Sequence, residues 1–247
     1  MRRGRSRSSN SGFRRLIELI VSPCYLALSS LAFLVMEALA ALIRLEVHGR
    51  EHIPRGGYVL CPTHRGELDP YFVRRALRDR LVLPKRNRFI FRLEFGPLVR
   101  KLFLAHWGGW IVSEREPRLS ALALRGALRW LEGGRPVTIF PEGHRHGQGV
   151  VHEGAALLAC RSGRPLLPLL IDRGVFVGEG IPFYLFPVVT LGRYLRECPH
   201  VRLTFLEPLH PELERYRREG RRYVRELTER LGELLLGTRP EVRARGS

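Results

Sequence analysis

Lysine is almost missing from this chain: among 247 residues only Lys85 and Lys101 occur, although Lys and Arg together number 42. The positive charge is therefore carried by arginine, whose planar fork pairs with carboxylate and phosphate groups bidentately. A net charge of +18 at pH 7 calls for an anionic partner: nucleic acid, an acidic membrane or a phosphorylated substrate. The arginine skew reflects genome composition as much as function, so charge alone selects none of these. Cysteine is scarce as well. Cys24, Cys61, Cys160 and Cys198 are scattered, with no Cys-x-x-Cys pair, which excludes a disulfide framework and a short zinc-ligand spacing and reads as reduced thiols in a reducing compartment. There is no internal repeat, low-complexity sequence is confined to the tails, and no nucleic-acid-binding module is recognisable. The expectation is therefore no nucleic-acid partner.

Charge itself is missing from one long stretch. After a basic, polar start, MRRGRSRSSNSGFRR over 1–15, no charged residue occurs between Glu18 and Glu37, close to the lower limit of about 18 apolar residues for a membrane span. Pro23 and Ser29-Ser30 interrupt it. Three readings stay open: a signal peptide cleaved near Ala38-Leu39-Ala40, a spanning helix held by positive-inside arginines, and a bent, membrane-embedded helical pair. Residues 16–43 are expected to be a membrane-associated helical segment.

From residue 44 the texture is that of a soluble α/β domain. With 45% hydrophobic residues, the chain is long enough for a sizeable core. Short β-like runs occur at Leu45–His48, Tyr58–Cys61, Leu81–Leu83, Trp110–Val112, Val137–Phe140, Leu166–Ile171, Phe186–Leu191 and Val201–Leu206. Helical patterns lie between them, notably DPYFVRRALRDR and SALALRGALRWLEGG, the second ending in the stop signal Gly133-Gly134. The alternation predicts a single α/β domain over 44–210 with a mixed, partly parallel sheet flanked by helices. A charge-laced helix with a break at Gly220, then a tail, is expected over 211–247.

Three stretches carry candidate chemistry. In LCPTHRGELDPY (60–71), His64 leaves a strand and Asp69-Pro70 reads as a helix N-cap with proline at the first helical position. Side chains that meet within one helix are three or four apart, so this pair at a spacing of five can meet only across a bend. If it does, the carboxylate fixes the histidine tautomer and stabilises the imidazolium formed on taking a proton. The plainer alternative is a helix cap and an unrelated loop histidine. In VTIFPEGHRHGQG (137–149), Glu142, Gly143, His144, Arg145 and His146 follow the end of a strand, where ligands of open α/β sheets bind. Arg145 suits a phosphate. His144 and His146 invite a metal reading, but they lack a clear third ligand. In HWGGWIVSER (106–115), Gly108-Gly109 open a β-rich run that delivers Arg115, a second candidate phosphate contact.

Taken in order, these blocks resemble the glycerolipid acyltransferase family, which contains the 1-acylglycerol-3-phosphate acyltransferases, and the resemblance spans roughly 45–210. Its histidine and aspartate with four residues between them match His64 and Asp69. Its glycine leading to an arginine matches Gly109 through Arg115. Its Phe-Pro-Glu-Gly-Thr-Arg-Ser matches Phe140-Pro141-Glu142-Gly143-His144-Arg145-His146. Its apolar, proline-containing fourth block matches Pro165 through Leu169. Two departures fall on the acceptor side, where His144 and His146 replace threonine and serine.

The resemblance implies transfer of a fatty acyl group from acyl-CoA or acyl carrier protein to a glycerol hydroxyl of a lysophospholipid acceptor. His64 would be the base and Asp69 its orienter. Arg115, Arg145 and Lys85 would hold the phosphate, Glu142 and Gly143 the glycerol oxygens, and Pro165 and Pro168 would shape an acyl slot. No cofactor, metal or acyl-cysteine is expected. A membrane-bound acceptor and a soluble thioester would meet on the cytoplasmic face of the cell membrane. Other acceptors, or a lipid-binding member without turnover, remain as alternatives.

Overall fold

The Val-, Leu- and Ile-rich runs form strands because such side chains pack well on a pleated surface covered on both sides. A computed structural model describes residues 31, 34–38, 40–77, 87–92, 108–112, 116–143, 150–176 and 186–237. Among these, the strands are β1 (Arg44–His48), β2 (Val59–Pro62), β3 (Arg88–Arg92), β4 (Gly109–Val112), β5 (Val137–Ile139), β6 (Leu166–Ile171) and β7 (His200–Phe205). They form one sheet in the order β1-β7-β6-β2-β5-β3-β4. All pairings are parallel except β6 with β7, which is antiparallel. A mixed, mostly parallel sheet is the expected architecture.

The helices are α1 (Asp69–Ala76), α2 (Pro117–Glu132), α3 (Gly154–Ser162), α4 (Phe186–Glu197), α5 (Leu213–Glu219) and α6 (Arg221–Leu236). Two apolar clusters sandwich the sheet. One joins Leu60, Leu167 and Leu169 to α1 and to Tyr194 and Cys198, with Met36, Ala40 and Ile43 from the segment before β1. The other joins Val59, Cys61 and Val137 to Ala127 and Leu131 of α2, Ala155 and Leu158 of α3, and Tyr223, Leu227 and Leu231 of α6. Neighbours on β2 thus point to opposite clusters, as strand geometry requires.

Two elements differ from expectation. Phe186–Leu191 is not a strand but the first half of α4. Its Val-Val-Thr run has strand propensity, yet Thr190, Tyr194 and Cys198 are buried at four-residue spacing, the helical period that packing rewards. The strand β3, RFIFR, escaped notice because arginines bracket its apolar residues, while the run at Leu81–Leu83 lies outside the described residues. The break at Gly220 does occur, with φ 56° and ψ −121°. Beside it, Arg215 pairs with Glu219 and Glu226, a solvated ion-pair face.

The anchor expected over 16–43 falls largely outside the described residues. Among those described, no helix is long and apolar enough to cross a membrane. Residues 34–38 and 40–42 are helical. Met36 and Ala40 turn inward, while Leu34 and Leu42 are exposed.

Candidate active site

The adjacent parallel strands β6, β2 and β5 end at one edge of the sheet, and the segments leaving them converge there. The segment after β2 carries His64 and that after β5 carries Glu142; the one after β6 runs through Gly174, Val175 and Phe176. Thr63 anchors the first: its N–H donates to Leu169 O (2.9 Å), and its hydroxyl accepts the Ile171 N–H (2.8 Å).

Across the bend, His64 Nδ1 meets Asp69 Oδ2 at 2.9 Å. The same oxygen accepts the backbone N–H groups of Arg65 (2.5 Å) and Gly66 (2.8 Å). Asp69 is fully buried and opens α1 as its first helical residue, Leu68 being the N-cap. The expected capping role is therefore corrected: the carboxylate turns back into the loop, where the helix N-terminus also favours its charge. An ionised carboxylate only accepts, so the imidazole proton sits on Nδ1 and the lone pair of the neutral ring on Nε2.

Glu142 is 2% exposed, and its Oε1 accepts the backbone N–H of His64 at 3.1 Å. Its observed partner is thus the loop that carries His64. Gly143 adopts φ 68° in the turn that delivers it, a left-handed conformation open to glycine. Two aromatic rings approach the imidazole, Phe140 at 4.7 Å (36° between planes) and Phe176 at 5.3 Å (70°).

Sequence reasoning did not find the residues that tie these segments together. The fully buried Tyr194 of α4 accepts the Leu68 N–H at its hydroxyl (3.4 Å) and also hydrogen-bonds the Val175 backbone. Burial, then the nearby Asp69 carboxylate, pushes its phenol well above the ordinary range, so it stays a neutral hydroxyl. Its neighbour Arg193 donates through Nη1 to Phe176 O at 2.7 Å. The chain segments approach so closely that a Cβ on Gly66 would lie 2.1 Å from Tyr194 Oη, and one on Gly174 would lie 2.6 Å from Arg65 C. None of these contacts leaves a local signal, although the two glycines could have raised the question.

The remaining candidates divide. Arg115, Arg145 and Lys85, with His144 and His146, lie outside the described residues. Pro165 sits before β6, at the opposite end of the strand from His64, with its carbonyl accepting the Val59 N–H; Pro168 is buried within β6, opposite Cys61. Neither lies in the loops around His64. Among the described residues no group of His, Cys, Asp and Glu could hold a metal ion. Burial pushes the Cys61 thiol far up and the Cys160 thiol up to about 11. Neither has thiolate character at neutral pH, as a nucleophile would need.

The geometry is thus that of an imidazole with one nitrogen committed to a buried carboxylate and the other outside that contact. The family profile described as Acyltransferase matches residues 44–172. A 1-acyl-sn-glycerol-3-phosphate acyltransferase of Borreliella burgdorferi is 26% identical over 190 residues, covering 68% of this chain and 74% of that protein. The crystal structure of the 1-acyl-sn-glycerophosphate (LPA) acyltransferase, PlsC, from Thermotoga maritima shares 22% identity at a TM-score of 0.45, over 95% of this chain and 94% of that one.

Proposed function

This chain belongs to the acyltransferase family, and from that premise we propose that it moves a fatty acyl group from acyl-CoA or acyl carrier protein to the free hydroxyl of 1-acylglycerol 3-phosphate, forming phosphatidic acid. The observation that carries the reading is the 2.9 Å contact of His64 Nδ1 with Asp69, which leaves Nε2 to accept the hydroxyl proton. The alkoxide oxygen then attacks the thioester carbonyl. When the tetrahedral intermediate collapses, the C–S bond breaks and the imidazolium returns its proton to the departing thiolate. Asp69 stabilises the imidazolium between the two steps. The buried thiols of Cys61 and Cys160 favour direct transfer over an acyl-cysteine.

The phosphate would be held by Arg115, Arg145 and Lys85, roles that rest on the motif resemblance. Glu142 would act first on the loop, through the His64 N–H. Attachment to the cytoplasmic face of a membrane is supported by exposed Leu31, Leu34 and Leu42 and by the net charge of +18, which favours anionic lipid. No cofactor enters the scheme.

The test is acyl transfer from oleoyl-CoA to 1-acylglycerol 3-phosphate by detergent-extracted protein, wild type beside His64→Ala. Removing a general base costs about 10²–10⁴-fold, so product is expected from wild type and almost none from the variant. Equal rates would overturn the role of His64. His144 and His146, which depart from the motif that the resemblance rests on, favour a second reading with a different acceptor. A panel including glycerol 3-phosphate and phosphate-free lyso-lipids decides between the two.

A further inference from the structure

A base able to take a proton from an alcohol can equally take one from water, which is far more abundant. If it did so here, the thioester would be hydrolysed. Water oxygen would bond to the carbonyl carbon as its proton passed to Nε2. The C–S bond would break, and the imidazolium would protonate the thiolate, leaving free fatty acid and free thiol. A transferase therefore has to exclude water from its base.

Beside the carboxylates of Asp69 and Glu142, two aromatic rings stand against His64. Phe140 and Phe176 approach the ring at 4.7 Å and 5.3 Å, and the His64 side chain is only 16% exposed. The two rings come from different parts of the fold, the end of β5 and the segment after β6. Phe140 leans on the core cluster beneath it. Phe176 is held by hydrogen bonds to its own backbone and its neighbour's. Arg193 donates to its carbonyl, the Glu67 N–H donates to Val175 O (3.2 Å), and Tyr194 hydrogen-bonds the Val175 backbone. Gly174 then lets this segment lie directly on Arg65. Several fixed contacts thus serve to place one phenyl ring against the base.

We infer that Phe140 and Phe176 form an aromatic clip that keeps water from His64, so that Phe176 determines the choice of an acceptor hydroxyl over water as nucleophile. The inference rests on the reaction proposed above, but the shielding it requires can be read without turnover.

The experiment uses the full chain in detergent, as wild type, Phe176→Ala, Phe176→Leu and Arg193→Met. Thiol release from oleoyl-CoA is measured with and without 1-acylglycerol 3-phosphate. In parallel, carbethoxylation of His64 by diethyl pyrocarbonate is followed residue by residue by mass spectrometry, with exposed His48 as the internal reference. In wild type, thiol release should depend on the acceptor. In Phe176→Ala the ratio of hydrolysis to transfer should rise roughly tenfold or more as water gains access. His64 labelling should accelerate while His48 labelling does not change. Leucine at 176 keeps apolar bulk and should stay near wild type. Arg193→Met leaves the ring intact and frees its carbonyl, so it should give a smaller rise in the same direction, and it answers the question if Phe176→Ala does not fold. Labelling of His64 at the wild-type rate in the folded variants overturns the clip, as does an unchanged ratio. If wild type transfers nothing but His64 labelling still responds to Phe176→Ala, the clip stands and the proposed acceptor or donor falls.

Discussion

At Asp69, one carboxylate oxygen gathers three donors, two backbone N–H groups and the imidazole. Removing the charge while keeping the shape separates its tasks. Asp69→Asn can still accept one or two of these bonds through its amide oxygen, but it no longer stabilises an imidazolium, and its NH₂ can turn toward Nδ1 and stabilise the wrong tautomer. Turnover is expected to fall on the order of 10²-fold or more, within the range for general acid–base catalysis. Stability should fall by about 1–3 kcal/mol, the cost of weakened hydrogen bonds at a buried acceptor. Steady-state kinetics beside urea unfolding checks both. A variant that lost stability but kept its rate would reduce Asp69 to a loop fastener.

The elements around the site are locked by proximity as much as by hydrogen bonds. The His64 loop, the segment after β6 and α4 meet where only hydrogen fits on Gly66: a methyl there would stand 2.1 Å from Tyr194 Oη and 2.5 Å from Val175 N. The second obstacle is backbone and has little room to yield. Gly66→Ala is therefore expected to cost about 1–3 kcal/mol, the usual penalty for overpacking. It should also lower kcat more than it raises KM, because the loop that moves carries His64, the base proposed above. Adding Tyr194→Phe removes the nearer atom but not Val175, so the double variant should recover only part of the loss. Thermal unfolding and kinetics on the pair test this, and full recovery would show that the tyrosine alone sets the fit.

Among the described residues, six of the nine exposed large apolar side chains lie on two helical stretches. The segment before β1 exposes Leu31, Leu34, Val35 and Leu42, and α4 exposes Val188 and Leu195. The Arg44 N–H donates to Pro199 O (3.0 Å), so both helical stretches enter the parallel pair β1 and β7 at one corner. On the membrane reading proposed above, these two stretches face lipid. Burying one leucine is worth about 1.5–3 kcal/mol, so Leu34→Ser with Leu42→Ser should weaken partitioning into vesicles containing anionic lipid by at least about tenfold. Thermal stability in detergent should barely change, since neither side chain packs inward. Co-sedimentation reads the first and a melting curve the second. Unchanged partitioning would place lipid attachment elsewhere.

What the sequence determined by itself was local. The strand–loop–helix around His64 and Asp69 was legible because an apolar run, a polar bend and Asp69-Pro70 lie within twelve residues. The turn at Glu142-Gly143 was legible because a glycine follows a strand end, and most strands could be read from their apolar runs. The tertiary structure decided what these pieces touch. Glu142 lies 78 residues from the His64 N–H it accepts, and Tyr194 lies 126 residues from Leu68. A hydrogen bond across such a distance leaves no period or spacing in the chain. For the same reason the contacts of Phe176 with His64 and of Arg193 with Phe176 passed unnoticed, and Val188-Val189-Thr190 read as a strand. Local propensity is worth tenths of a kcal/mol per residue, whereas the stripe of Thr190, Tyr194 and Cys198 gains its burial only against a sheet that has already formed.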